Sequence, residues 1–246
     1  MAAALEVTNV TKRFGQLTAI DKMSLQLDNG EILGLIGPNG SGKTTLINIV
    51  SGVIKPDSGT IRLNGLNVTG MMPHRICHLG LNRTFQTPRP FSSLTVEENV
   101  HLAQRFGSRN ASTPGNSDRE EKIDHVLELT GLLELRKKPA HSLNTFEKKM
   151  LDLARALSTG PRVLLVDELA AGLNPDELKW VKDILESVRK SGVSLVVVEH
   201  IMSFIRDVAG RVIVMDAGRK IYEGDFGGAA QNETVKEVYL GTRSVT

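Results

Sequence analysis

The chain has 246 residues, 40% of them hydrophobic and 24% charged, ample length and ordinary composition for a water-soluble fold with a sizeable core. A formal net charge of +2 supplies no basic excess for gripping nucleic acid, so that partner is excluded. The single cysteine, Cys77, rules out an internal disulfide and suits a reducing compartment, and no leader-like segment or apolar run near the roughly 18 residues of a membrane span is visible.

In chain order, LEVTNV (5–10) and AIDKMSLQL (19–27) alternate like strands, with a turn glycine in the FGQL between them. EILGLIG (31–37) is a continuous apolar run ending in glycine, as a buried strand should be. The pattern predicts a helix from Lys43 to about Val50, a turn at KPDSG (55–59), a short strand TIRLNG, a short helix from Pro73 to His78 and a strand at LGLNRTFQ (79–86). Thr95-Val96-Glu97-Glu98 is a capping box opening a helix toward Arg105. GSRNASTPGNSD (107–118) reads as a flexible insertion, followed by helices over about 119–130 and 144–158. PRVLLVDE (161–168), a helix opened by Asn174-Pro175, SLVVVEH (194–200) and RVIVMDAG (211–218) complete an alternating pattern. Such alternation predicts an α/β fold with a mainly parallel sheet, interrupted by a helical subdomain over about 88–158.

GPNGSGKTT (37–45) fits G-x-x-x-x-G-K-[ST] between a predicted strand and a predicted helix, the context that a phosphate loop requires. Gly37, Pro38, Asn39, Gly40, Ser41 and Gly42 would curl into an anion-binding nest, backed by the positive end of the helix that follows. Lys43 would reach the β- and γ-phosphates, Thr44 would bind Mg²⁺, and Thr45 closes the motif. The alternative is a glycine-rich turn that happens to carry Lys-Thr. In VLLVDE (163–168) two carboxylates emerge at the end of a buried strand: Asp167 can hold Mg²⁺ through its water shell, and Glu168 can polarise an attacking water. The pair could instead merely cap the next helix. His200 ends a third buried strand of the same sheet.

These motifs together resemble the ATP-binding cassette ATPases of membrane transporters, over essentially the whole chain from Leu5 to Leu240. The resemblance implies a RecA-like P-loop NTPase core, an N-terminal antiparallel β subdomain and a helical subdomain within one ATPase domain spanning 1–246. Gln86 looks like the family's glutamine loop, which touches the Mg²⁺ site and meets the membrane partner. Phe14 matches the aromatic on which adenine stacks, unless it is simply a core phenylalanine. His200 falls on the histidine that contacts the γ-phosphate. AGLNP (171–175) matches a loop crossing the dimer interface, with Asn174 for the commoner aspartate, and Leu169 stands where proline usually follows the acidic pair. RTFQTPRPF, DELAAGLNP and VKEVYLG are similar to a narrower branch, the ATPases of importers of branched-chain amino acids and of amides and urea. Implied with it are ATP and Mg²⁺, transmembrane permease subunits, an indirectly linked solute-binding protein, and a peripheral place on the cytoplasmic face of the membrane.

One departure stands out. The family's signature, Leu-Ser-Gly-Gly-Gln, reaches across a dimer to the partner's γ-phosphate. Here Leu143-Asn144-Thr145-Phe146-Glu147 aligns with it, and only the leucine remains. A benzyl group at Phe146 and a carboxylate at Glu147 should obstruct and repel a triphosphate, while Asn144 and Glu147 still make a good helix cap. The expectation is a heterodimer with a second ATPase subunit, in which one site is degenerate. The alternative is a non-catalytic ATP-binding regulator of the same assembly. A GTPase is disfavoured, because no Asn-Lys-x-Asp motif occurs; a cassette protein of translation or DNA repair would need a second cassette or a coiled coil. Lys137–Lys138 and Lys148–Lys149 read as solvated helix ends, HRICH (74–78) as a surface helix and not a metal site, and Trp180 as helix packing. His101, His125 and His141 suggest no partners.

Overall fold

The computed structural model describes residues 3–107 and 116–240. Strands β1 (Leu5–Phe14) and β2 (Leu17–Leu27) pair antiparallel around the turn at Gly15, each burying alternate apolar residues such as Val7, Val10, Met23 and Leu25. β3 (Ile32–Ile36) is buried at every position and feeds the glycine loop and then α1 (Lys43–Val50). β4 (Ser58–Leu63) and a two-residue β5 (Leu66–Asn67) complete a four-stranded antiparallel sheet of order β2-β1-β4-β5. Then come α2 (Pro73–His78), β6 (Leu81–Arg83), α3 (Val96–Arg105) and α4 (Asn116–Leu129). Two 3-10 turns lead into α5 (Thr145–Ser158), β7 (Val163–Asp167), α6 (Pro175–Lys190) and β8 (Ser194–Val198). The chain closes with α7 (Met202–Val208), β9 (Arg211–Asp216), β10 (Arg219–Gly224), α8 (Phe226–Gln231) and α9 (Glu233–Leu240).

The second sheet has the order β10-β9-β3-β8-β7-β6, parallel throughout except for the antiparallel edge strand β10. Its central strands are buried on both faces, which is why they read as unbroken apolar runs. One face packs on α1 and the antiparallel sheet, the other on α5, α6 and α7, giving two apolar clusters. Leu164 of β7 is fully buried in the second cluster. Leu164→Ala is expected to cost about 2–5 kcal/mol in a urea melt, as buried leucine truncations do.

Among the described residues, three helices start on reciprocal capping boxes: Thr95 with Glu98, Asn144 with Glu147, and Asn174 with Glu177. The strand at 79–86 is shorter than its apolar pattern suggests, because beyond Arg83 the Thr84 side chain turns to accept from the Asp167 N–H (3.1 Å). Of the expected insertion, residues 108–115 lie outside those described, and α4 begins at Asn116, slightly before the predicted start. No helix among the described residues is long and apolar enough to cross a membrane.

Candidate functional site

The ends of β3, β7 and β8 converge on one cavity of about 580 Å³, lined among others by Phe14, Gly40, Lys43, Thr44, Glu168 and His200. Its floor is the loop 37–45. Gly37 adopts φ +152°, and a Cβ there would sit 2.2 Å from the Met215 carbonyl; at Gly42, φ +102°, a Cβ would meet the Ala19 carbonyl at 2.7 Å. Only glycine lets the loop pass between these walls. The Lys43 ammonium donates to the Gly37 and Pro38 carbonyls (2.7 and 3.0 Å). Burial lowers its pKa, and the nearby carboxylates of Glu168 and Asp167 oppose that shift. The N–H groups of the first turn of α1, which no upstream helical carbonyl can satisfy, belong to residues lining the cavity.

Asp167 is buried at the end of β7 and accepts from Arg83 Nη2 at 2.9 Å. Burial raises its pKa; Arg83 works against that and compensates a negative charge there. Arg83 also donates to Asn48 of α1 (2.6 Å), so β6, β7 and α1 share one polar knot. Glu168 follows in a left-handed conformation, φ +51°. Its carboxylate is bracketed: Gln86 Nε2 donates to Oε2 at 2.5 Å and His200 Nε2 lies 2.8 Å from Oε1. Phe14 is 48% exposed at the cavity mouth, with the Lys12 ammonium 5.5 Å from its ring, so its reading as a core phenylalanine is overturned. Thr44 offers a hydroxyl, Gln86 an amide oxygen and Asp167 a carboxylate, the kinds of hard-oxygen donor that suit Mg²⁺, and the glycine-walled cradle fits a polyphosphate.

The signature-like segment is also well defined. Asn144 Oδ1 accepts from the Glu147 N–H and Glu147 Oε2 from the Asn144 N–H, both at 2.8 Å, and Lys138 Nζ sits 3.3 Å from the same carboxylate. Phe146 packs its ring against Trp180 of α6, centroids 5.4 Å apart. Trp180 in turn covers Gly131, where an added Cβ would lie 1.9 Å from the indole.

Several residues outside the expected set matter. Lys149 does not cap a solvated helix end: it is 7% exposed, and its ammonium donates to the carbonyls of Leu169 and Ala171 (2.9 and 2.5 Å). Glu199 is buried beside His200 and accepts from the Ala170 N–H at 2.6 Å. Its one sequence signal was an acidic residue closing an otherwise apolar strand; Lys149 gave none. Lys148 remains partly exposed. Among the other histidines, His101 lies near Glu97 and Glu120, and His141 Nδ1 is 3.1 Å from the Ser92 carbonyl. Glu97, held down at about 2 by Arg136 and Lys137, is already taken by cations. His74 and His78 meet edge to face at 6.3 Å and join no metal-capable group among the described residues.

A family model described as "ABC transporter" matches residues 20–171. The chain is 35% identical over 248 residues to the high-affinity branched-chain amino acid transport ATP-binding protein BraF of Pseudomonas aeruginosa, covering 96% of this chain and 97% of that protein. It is 34% identical over 248 residues to LivG of Escherichia coli, a high-affinity branched-chain amino acid transport ATP-binding protein, with the same coverage. Among solved structures it is similar to the ADP conformation of MJ1267, an ATP-binding cassette of an ABC transporter. That likeness has a TM-score of 0.88 at 29% identity and covers 98% of this chain and 100% of that one.

Proposed function

The chain belongs to the ABC transporter family, whose members couple ATP hydrolysis to transport, and on that premise we propose that it energises an importer of branched-chain amino acids or related small solutes. The solute class follows the branched-chain amino acid relatives, and the observation that carries the hydrolysis is Glu168, its carboxylate held between Gln86 and His200 in the cavity that Lys43 also lines. Phe14 stacks the adenine, and the loop Gly37-Pro38-Asn39-Gly40-Ser41-Gly42-Lys43-Thr44-Thr45 cradles the phosphates. Thr44, Gln86 and Asp167 would hold Mg²⁺, which would neutralise charge on the phosphate oxygens. Glu168 accepts a hydrogen bond from the attacking water and raises its nucleophilicity. Lys43 and His200 stabilise charge on the γ-phosphoryl group as it transfers.

The chain works as one ATPase domain, with a helical subdomain over about 88–158, on the cytoplasmic face of the membrane beside permease subunits. Phe85 and Phe91, about half exposed and each stacked under an arginine, offer an apolar surface next to Gln86 for such a partner. We read the dimer as a heterodimer. The helix end at 144–147 ties up the Asn144 and Glu147 N–H groups in its own capping box and carries a carboxylate, so it offers little to a partner's γ-phosphate, whereas this chain's own phosphate loop is complete. The same feature favours a second reading, a regulator that clamps ATP without useful turnover.

ATP turnover of the purified chain alone, compared with chain plus partner ATPase and permeases, tests the proposal. Turnover is expected to rise at least about tenfold with the partner, the scale of one restored set of transition-state hydrogen-bond donors. High activity of the isolated chain as a homodimer overturns the heterodimer, and failure to bind ATP overturns the function.

A further inference from the structure

The loop that follows Glu168 is held from two sides by buried charged groups that phosphate chemistry does not explain. From α5, Lys149 sends its ammonium to the carbonyls of Glu168, Leu169 and Ala171 at 3.4, 2.9 and 2.5 Å. From the end of β8, Glu199, 1% exposed, accepts the Ala170 N–H at 2.6 Å. Between these contacts Glu168 sits at φ +51°, a conformation that disfavours a residue with a Cβ and persists only where its surroundings enforce it. Leu169, in place of the proline that would stiffen this turn, brings no rigidity of its own.

We propose that Lys149 and Glu199 are positioning residues for hydrolysis, a clamp that fixes the turn at Glu168 and aims its carboxylate, and that the clamp is tight only while Glu199 is ionised. The proposal rests on the reading of Glu168 as the group that polarises water. A carboxylate accepts the Ala170 N–H more strongly than a carboxylic acid does, and it balances the ammonium across the loop. Protonation weakens the Ala170 contact and removes the charge that balances the ammonium. The groups facing Glu199 are Lys149 from α5 and Glu168 from the loop after β7, with the N–H of the adjacent His200 bonded to it; Lys149 also feels Glu177 of α6. Burial raises the pKa of Glu199 to about 7, with the Ala170 N–H and Lys149 opposing the shift and Glu168 adding to it. The transition therefore falls within the physiological range: turnover falls as pH drops through about 7.

Lys149 also makes the clamp a link. It lies two residues beyond the signature-like segment 143–147, so one helix carries both the surface offered to a partner's nucleotide and the cation that holds this chain's own Glu168 turn.

The test is the pH profile of ATP turnover, from pH 6 to 9, for the assembled transporter containing wild-type chain, Glu199→Gln or Lys149→Met, with binding of a fluorescent ATP analogue measured alongside. Glu199→Gln is expected to bind nucleotide within about twofold of wild type. Its turnover should stay at the wild type's low-pH level throughout, about tenfold below the wild type at pH 8, the scale of exchanging a charged for a neutral hydrogen bond. Lys149→Met removes the cation that favours ionisation, so its limb should move to higher pH. A limb that survives unchanged in Glu199→Gln belongs to another group and overturns the proposal, while leaving the ATPase reading intact. Carbon-13 NMR of the glutamate carboxyls in the chain alone separates the two ideas. Even if the wild-type assembly proves inactive, Glu199 should titrate near 7 and shift upward in Lys149→Met, and a midpoint in the ordinary carboxylate range sinks the clamp.

Discussion

Glu168→Gln is expected to lower ATP turnover of the assembled transporter by about 10²–10⁴, the range for losing a positioned general base, while ATP affinity changes by less than about twofold. The amide is nearly isosteric with the carboxylate, so the contacts to Gln86 and His200, at 2.5 and 2.8 Å, can be kept in outline. What is lost is the charge that draws the proton of the attacking water. Steady-state phosphate release and equilibrium binding of a fluorescent ATP analogue, on the same preparation, check both halves. An enzyme gives the split. A regulator that only clamps nucleotide gives little change in either, which would favour the second reading of the signature segment.

Lys43 makes a useful contrast to Glu168. Its ammonium is tied to the carbonyls of its own loop while sitting among the negative charges of Asp167 and Glu168. The ammonium is already largely stripped of water, so an anionic ligand meets little solvent reorganisation there, and it takes over the donors now given to the loop carbonyls. At Asp167, Arg83 compensates the buried carboxyl and fixes the orientation of its side chain.

The sequence shows those parts of the fold where local chemistry decides. β3, β7, β8 and β9 are visible as apolar runs because both faces of a parallel sheet are covered, and the starts of α3, α5 and α6 are visible because a capping box needs residues only three apart. The phosphate loop is legible for the same reason. What escapes notice depends on partners distant in the chain. β10, RKIYEG, has no buried face to give it a period and exists as a strand through pairing with β9. α7, α8 and α9 are short, and their burial is set by packing against the sheet and its edge. Lys149 follows Lys148 in a way that suggests solvent, and only the return of residues 168–171 against α5 turns it inward. Arg83 precedes Gln86 by three residues and looks like surface charge until β6 is laid beside β7 and finds Asp167.

Replacing Asn144-Thr145-Phe146-Glu147 with Ser-Gly-Gly-Gln is expected to raise ATP turnover of the chain alone, as a homodimer, at least about tenfold while lowering its stability. The gain comes from removing a ring and a carboxylate from the end of α5 and supplying a hydroxyl and unobstructed N–H groups, donors of the type worth about 10²–10³ in rate when aimed at developing charge. The loss has three identifiable sources. Glycine in place of Thr145 and Phe146 costs about 0.5 kcal/mol each in the first turn of α5, the gap between glycine and these already weak helix formers. Removing the Phe146 ring forfeits its stack on Trp180, about 0.5–1.5 kcal/mol beyond the area it buries. Glu147→Gln leaves Lys138 without its 3.3 Å ionic partner, a small term at a partly exposed pair. Together these come to about 2–4 kcal/mol, which for a chain of this size lowers the melting temperature by about 5–15 °C, read by circular dichroism. The two effects have opposite signs, so they cannot be confused: a variant that melts lower yet hydrolyses faster has regained a signature. A variant that stays folded with unchanged turnover shows that the segment was never what held the second nucleotide back.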